Sequence, residues 1–537
     1  MKITRKLLFA SLFLFLVLMV ACADEEAGGD TDQSDQTETE TEQEASNDDD
    51  KSASSGGELK VAINAQPPTM DPQMTTATAT RDVARLVFES LLVLNDDFEP
   101  VPFLAEEVEV DNNQTFTFHL REGVKFHNGE EMKAEDVVAS MNRWKENENK
   151  AQQVIGESEF EEVDEYTVTI ELSEPSSLAL GVMATPGQFA AIMPKDINES
   201  AGADGVTEYI GTGPFEFEDW KQDNYIQLSK FDDYEPLDEP ADGLAGKREA
   251  LVDEVYFYIA PDASTRLAGI QSGEYDIAYQ LPFDNYQQLL ETDLQVEPSL
   301  AGDMILQYNT REGLMADDKV RQAVNAALNI DDILTASLVE PEIYSAGANL
   351  MEEDNVRWYT TAGEENYNVN DLDLAEQLLE ESSYDGETVK IVSTRDYQHY
   401  YDSSVVIQEQ LQKIGMDVDL EVYDWPTLTE LVKDDSAWHM RVNGFTFKAD
   451  PTQILYLDSS YNGVRDDEQL EAGMKAIEVA ETEEEAREAW ESLQEYVWTD
   501  FLPMTKLGSY SHLYVLAEDV EGFVYSNGSL YWNVSKQ

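Results

Sequence analysis

The chain has 537 residues, more than one hydrophobic core usually organises, and its 42% hydrophobic and 10% aromatic content marks it as globular in bulk. It carries 111 acidic against 34 basic side chains, a formal net charge of −77. That surplus repels nucleic acid, disfavours anionic surfaces as partners and gives a surface of the kind that suits a saline or alkaline setting. A single cysteine, Cys22, excludes any disulfide within the chain.

The basic start MKITRK is followed by the apolar run LLFASLFLFLVLMVA, too short to span a membrane comfortably, which reads as a secretory signal. Its end, Val20 and Ala21 before Cys22, resembles a bacterial lipobox with Met19 where leucine is usual. The alternative is that Ala21, Cys22 and Ala23 form a small-x-small site for release by ordinary signal peptidase. Acylation of Cys22 is expected, because the one thiol falls where such a signal needs it. The signal peptide is thus residues 1–22. Residues 23–57 are acidic, rich in Ser and Thr and too poor in apolar side chains to offset their ordering entropy, so they form a self-repelling, extended tether.

The folded part begins with ELKVAINAQPPTMDP, a short strand ending in prolines. Further on, Phe116, Phe118 and Leu120 alternate with Thr117 and His119 as a half-buried strand, and Asn128-Gly129 marks a turn. Val137, Val138, Met141 and Trp144 then recur at helical spacing. Beyond residue 370, Leu374, Ala375, Leu378 and Leu379 sketch a helix and ETVKIVS a strand. SSVVIQEQLQKIG is a helix closed by Gly415, and Val418, Leu420 and Val422 form another strand. A helix over 426–432 and the strand HMRVNGF complete a β-α-β-α-β run, which predicts a mainly parallel lobe. AGDMILQYN and FLPMTKLGSY flank that lobe as its entry and exit crossings.

The block from Arg81 to Trp144, together with GTGPFEFEDW, LAGIQSGEYDIAY and DDKVRQAVNAALNIDDIL, resembles the family 5 extracellular solute-binding proteins of ABC importers, the dipeptide- and oligopeptide-binding group. The resemblance implies an α/β, two-lobed fold like that of periplasmic binding proteins, with a hinge and an extra subdomain inserted in the first lobe. Lobe I would comprise 58–93, 213–301 and 508–537, the inserted subdomain 94–212, and lobe II 302–507. The implied function is capture of an extracellular solute, foremost a peptide, by a monomer on the outer face of the cell membrane, without a cofactor, and delivery to permease subunits. Oligosaccharides, metal chelates and anionic solutes are the alternatives on the same fold.

A secreted hydrolase is the competing class. H-E-x-x-H, G-x-S-x-G and G-x-x-x-x-G-K-[ST] are absent from the sequence, and His119, His127, His399, His439 and His512 are scattered without the spacing of a metal site. No catalytic or metal-binding residue is assigned. For ligand contacts, peptide-binding relatives have a Gly-Trp step followed three residues beyond the Trp by an Asp that pairs with the peptide amine. Here the step is Gly444-Phe445 and that position is Lys448, with Asp450 the nearest carboxylate. Lys433, Arg441 and Lys448 form a candidate cation cluster for an anionic group. Phe445 and Tyr397 are candidate aromatic walls, and Ala77, Thr78 and Ala79 occupy the place where relatives pair their backbone with the ligand.

Overall fold

The computed structural model describes residues 56–446, 448–480 and 482–537. The signal peptide, Cys22 and almost all of the tether lie outside the described residues. None of the described helices is long and apolar enough to cross a membrane.

One mixed sheet runs through both lobes. Its order is Val418–Tyr423, Val389–Thr394, Met440–Thr446, Gln295–Tyr308, Met504–Leu516, Ile277–Ala278, Glu58–Ile63, Glu254–Ile259, Tyr225–Lys230 and Phe215–Lys221, with Tyr344–Ser345 also paired to Met504–Leu516. At the lobe II end Val389–Thr394 is parallel to both its neighbours, and the connecting helices Gln398–Lys413 and Trp425–Leu431 give the β-α-β-α-β run its crossovers. At the lobe I end Glu58–Ile63 is parallel to Glu254–Ile259 and to Ile277–Ala278.

The lobes are joined by the two long strands, which are antiparallel to each other. They extend further than the sequence suggests: the first starts at Gln295 and the second ends at Leu516, both well inside lobe I. Pro298 and Gly302 hide this length, since both residues ordinarily interrupt a strand. The stretch around Pro298 pairs only with Met504–Leu516, because Met440–Thr446 joins the other side at Gly302, and a proline is tolerated on such a free edge.

A separate four-stranded sheet, Ala105–Asp111, Thr115–Leu120, Thr167–Glu171 and Glu161–Asp164, packs with the helix Ala134–Asn147, whose Val137, Met141 and Trp144 are fully buried. This subdomain is fixed to lobe I through the motifs that carry the family resemblance. Arg143 pairs with the buried carboxylate of Asp71, which also accepts from the Val206 N–H at 2.9 Å. His127 Nδ1 accepts from the Gly211 N–H at 3.2 Å, so its Nε2 carries the proton and donates to the Gly213 carbonyl at 3.0 Å. Gly211 admits no side chain: a Cβ there would lie 2.0 Å from the Val87 carbonyl oxygen. On its far side the subdomain touches lobe II, with Lys150 Nζ 3.2 Å from Glu478 and the Ser177 hydroxyl donating to the Ile477 carbonyl at 3.2 Å.

Burial lowers the pKa of His127 to about 4, against a partial upward pull from the Gly213 carbonyl. The unfolded chain therefore binds a proton here that the folded chain does not between about pH 6.5 and 4, and stability falls as pH falls through that window. Replacing His127 by Asn should remove on the order of 2 kcal/mol from the acid-side loss, read as a shallower pH dependence of the urea unfolding free energy between pH 7 and 4.

Candidate functional site

The parallel strands of lobe II end along one edge, where open α/β sheets place their ligands. The loops that follow them therefore converge. Tyr397 caps the start of Gln398–Lys413, and its ring lies 5.0 Å from Trp425, which starts the next helix, and 5.1 Å from Tyr400. From there ring contacts continue through His399, 4.5 Å from Tyr400, to Tyr510 at 5.5 Å on the crossing strand, and on to His512 and Tyr279. Phe283 of lobe I meets His399 at 6.0 Å. An aromatic seam thus spans the junction of the lobes. Burial holds both histidines well below their ordinary range, His399 at about 4 and His512 at about 3, the latter also pushed down by His399 and Arg81. Both rings are neutral at neutral pH, and the His399 Nε2 is buried without a hydrogen-bond partner among the described residues.

Beside the seam lies a small pocket lined by Asp303, Leu350, Met351, Glu352, Phe445, Thr446, Lys448, Ile454, Leu455 and Tyr456. Its free interior is comparable to one water molecule. Asp303 and Lys506 form a buried ion pair of 2.7 Å at its base. Asp303 also accepts from the Ser509 hydroxyl at 2.7 Å, and Lys506 donates to the Asn349 carbonyl at 2.6 Å. Lys448 lines the pocket 3.3 Å from the Thr446 hydroxyl, and its pKa is lowered by burial and by the proximity of Arg81 from lobe I, against an upward pull from Asp450.

Two of the sequence candidates line this pocket, Lys448 and Phe445. Phe445 is packed edge-on against Tyr456 at 5.1 Å and Tyr461 at 5.7 Å. Tyr397 is 41% exposed at the mouth of the seam. The others are placed differently. Lys433 follows the helix Trp425–Leu431, at the opposite end of the sheet, and pairs with Glu430 at 2.6 Å in solvent. Arg441 is buried at the start of its strand, donating to Gln307 at 2.8 Å and to the Tyr461 hydroxyl at 3.0 Å. The expected cluster of three cations is therefore not assembled. Gly444 makes room for Tyr400, since a Cβ would lie 2.1 Å from that hydroxyl. Asp450 is 4% exposed and caps the short helix Pro451–Gln453, accepting from the Thr452 N–H at 2.9 Å and from Gln453 Nε2 at 2.7 Å. Ala77, Thr78 and Ala79 open the helix Thr78–Ala84, and the Ala77 carbonyl already accepts from Arg81 N–H, so this segment does not present a strand edge to a ligand. Sequence reasoning passed over Arg81, Asp303, Glu352 and Tyr456. An acid among 111 acids carries no signal of its own.

Residues 99–465 match the model of the bacterial extracellular solute-binding proteins, family 5. The chain belongs to this family. A probable peptide ABC transporter periplasmic-binding protein of Sinorhizobium fredii is 27% identical over 497 residues, covering 87% of this chain and 91% of the relative. The dipeptide-binding protein of Escherichia coli is 29% identical over 417 residues, covering 68% and 72%. Among solved structures, the substrate-binding protein CtaP of Listeria monocytogenes superposes with a TM-score of 0.77 at 21% identity, covering 87% of this chain and 95% of that one. AppA of Bacillus subtilis, solved with a nonapeptide, gives 0.70 at 23% identity, covering 88% and 97%. NikA of Brucella suis, solved with Fe(III)-EDTA, gives 0.77 at 19% identity, covering 90% and 100%. As family members, this chain and its relatives are extracytoplasmic solute-binding proteins of transport systems, and the fold is the two-lobed α/β fold of that group.

The placement of Asp450 and Lys448 separates a structural role from a ligand-facing one. Asp450→Ala should lower stability by about 1 kcal/mol through loss of its cap, with no charge-specific change in ligand affinity, whereas Lys448→Ala should leave the urea midpoint within about 0.5 kcal/mol of wild type. Chemical denaturation of the two variants side by side checks this.

Proposed function

We propose that this chain is the capturing component of an ABC importer, binding peptides outside the cell between its two lobes and handing them to permease subunits in the membrane to which Cys22 anchors it. The observation that carries the reading is the pocket at the junction, lined by the ends of lobe II strands and by a crossing strand, with Arg81 of lobe I close enough to act on Lys448. Closing lobes bury a solute there and discriminate by the charges that meet it. Curated relatives with peptide-binding names support peptides as the solute.

A second reading follows from Lys448. It stands where peptide carriers of this family place the carboxylate for the peptide amine, and Asp450 is committed to its cap. An anionic solute, an oligosaccharide or a metal chelate fits that change, and the fold accommodates such cargo in NikA with Fe(III)-EDTA.

Mass spectrometry of solute released from protein purified from its native host decides between them. Peptides of related length confirm the first reading, and a single glycan, chelate or organic acid replaces it. In the same host, Cys22→Ser should leave unprocessed precursor and move the mature protein out of the membrane fraction, since a chain held by several acyl groups loses its anchor with them. Retention of the variant in the membrane without accumulation of unprocessed precursor would overturn the anchor.

A further inference from the structure

Six carboxylates among the described residues are buried, and five of them are held. Asp71 has Arg143 and the Val206 N–H, and Glu89 has the Tyr234 and Thr212 hydroxyls. Asp276 has the Lys60 N–H and Lys536, Asp303 has Lys506 and Ser509, and Asp450 has Thr452 and Gln453. Glu352 is the sixth. It is 6% exposed and lines the pocket beside Phe445 and Tyr456; its backbone carbonyl accepts from the Asn355 N–H, but its carboxyl group receives no hydrogen bond from any described residue.

A buried acid without a donor is costly, and native folds rarely retain one unless a partner arrives from outside. The charged and titratable groups around Glu352 narrow what that partner is. Asp303 and Lys506 on the crossing strands neutralise each other, Asp354 adds a negative charge on its own loop, Tyr456 adds a neutral phenol, and Lys448 lines the pocket without a salt bridge among the described residues, with Asp450 near enough to pull on its charge and Arg81 pushing against it. The pocket therefore holds one acid whose carboxyl group has no donor and one base in no direct salt bridge, balanced only in part by Asp450.

Resting on the peptide reading above, we propose that Glu352 is the acceptor for the ammonium group of a zwitterionic solute, a short peptide or amino-acid derivative, whose carboxylate end is met by Lys448. The role that the family's spacing assigns to the loop at 448–450 is thereby moved to a residue about a hundred positions earlier in the chain. In the empty pocket burial, with Asp303 nearby, raises the Glu352 pKa, so that the group rests as a neutral acid. An incoming ammonium favours the carboxylate, and the displaced proton goes to solvent. Affinity for the ammonium form then rises with pH until the amine of a peptide itself deprotonates at about 8.

The test uses purified full-length mature protein and a mixture of free-amine peptides of two to five residues, with the same mixture N-acetylated as control. Glu352→Gln keeps the shape of the neutral acid, and its thermal midpoint at pH 7 should match wild type. Calorimetry should show the free-amine mixture binding wild type with release of close to one proton, read from two buffers of different ionisation enthalpy. In Glu352→Gln that release should vanish and affinity drop at least about 30-fold. Equal affinity in the two proteins, or binding of the acetylated peptides as tight as that of the free amines, overturns the role of Glu352 while leaving the peptide reading intact. Failure of a folded wild type to bind either mixture overturns the peptide reading and this inference with it.

Discussion

The ion pair between Asp303 and Lys506 sits where the two crossing strands pass from one lobe to the other. Moving two charges out of water costs several kcal/mol per ion, and their attraction offsets that cost only when the remaining polar atoms are satisfied. Here part of that is supplied: the Ser509 hydroxyl donates to the same Asp303 oxygen that Lys506 meets, and Lys506 also donates to the Asn349 carbonyl. The pair therefore ties both strands to the loop that carries Leu350, Met351 and Glu352. Loss of either partner would leave a charge stranded at the floor of the pocket, so the joint between the lobes and the electrostatics of the site are one arrangement.

Much of the fold was legible in the sequence because its signals are local. Alternation at Phe116 to Leu120 gives a strand with alternate residues buried, and the run from 389 to 446 folds into the parallel unit that its periodicities predict. The motifs behind the family resemblance are legible for a different reason. They are joints: His127 and Gly211 lock the subdomain to lobe I, and Arg321 in DDKVRQAVNAALNIDDIL donates to the carbonyls of Met315, Phe501 and Leu502 where the chain leaves lobe II. Such contacts demand particular side chains at particular spacings, whatever the solute.

The candidate site was far less legible. Its residues come from positions 303, 352, 448 and 456; the spacing after Gly444-Phe445 marks Lys448, and nothing in the local pattern marks the other three. Lys433 and Arg441 look close to Lys448 in sequence, but a strand carries its two ends to opposite edges of the sheet, and the chain between 433 and 448 makes that journey. Asp450 looked free because a cap is recognised only once the short helix behind it is known. The crossing strands were underestimated for the reason that makes Pro298 acceptable there: half of one strand has a neighbour on a single side, a circumstance visible only in three dimensions.

The continuity of the main sheet sets how the lobes can move. No loop separates them along the two crossing strands, so opening must be absorbed as added twist in a two-stranded ribbon whose pairing runs from Gln295↔Leu516 to Gln307↔Met504. Register shifts between Leu300 and Gly302 and between Met304 and Ile305 mark where that ribbon is already irregular. Such an element has no single free joint about which the lobes could turn. Any change of angle between the lobes is then shared along the paired residues and not concentrated at one swivelling bond.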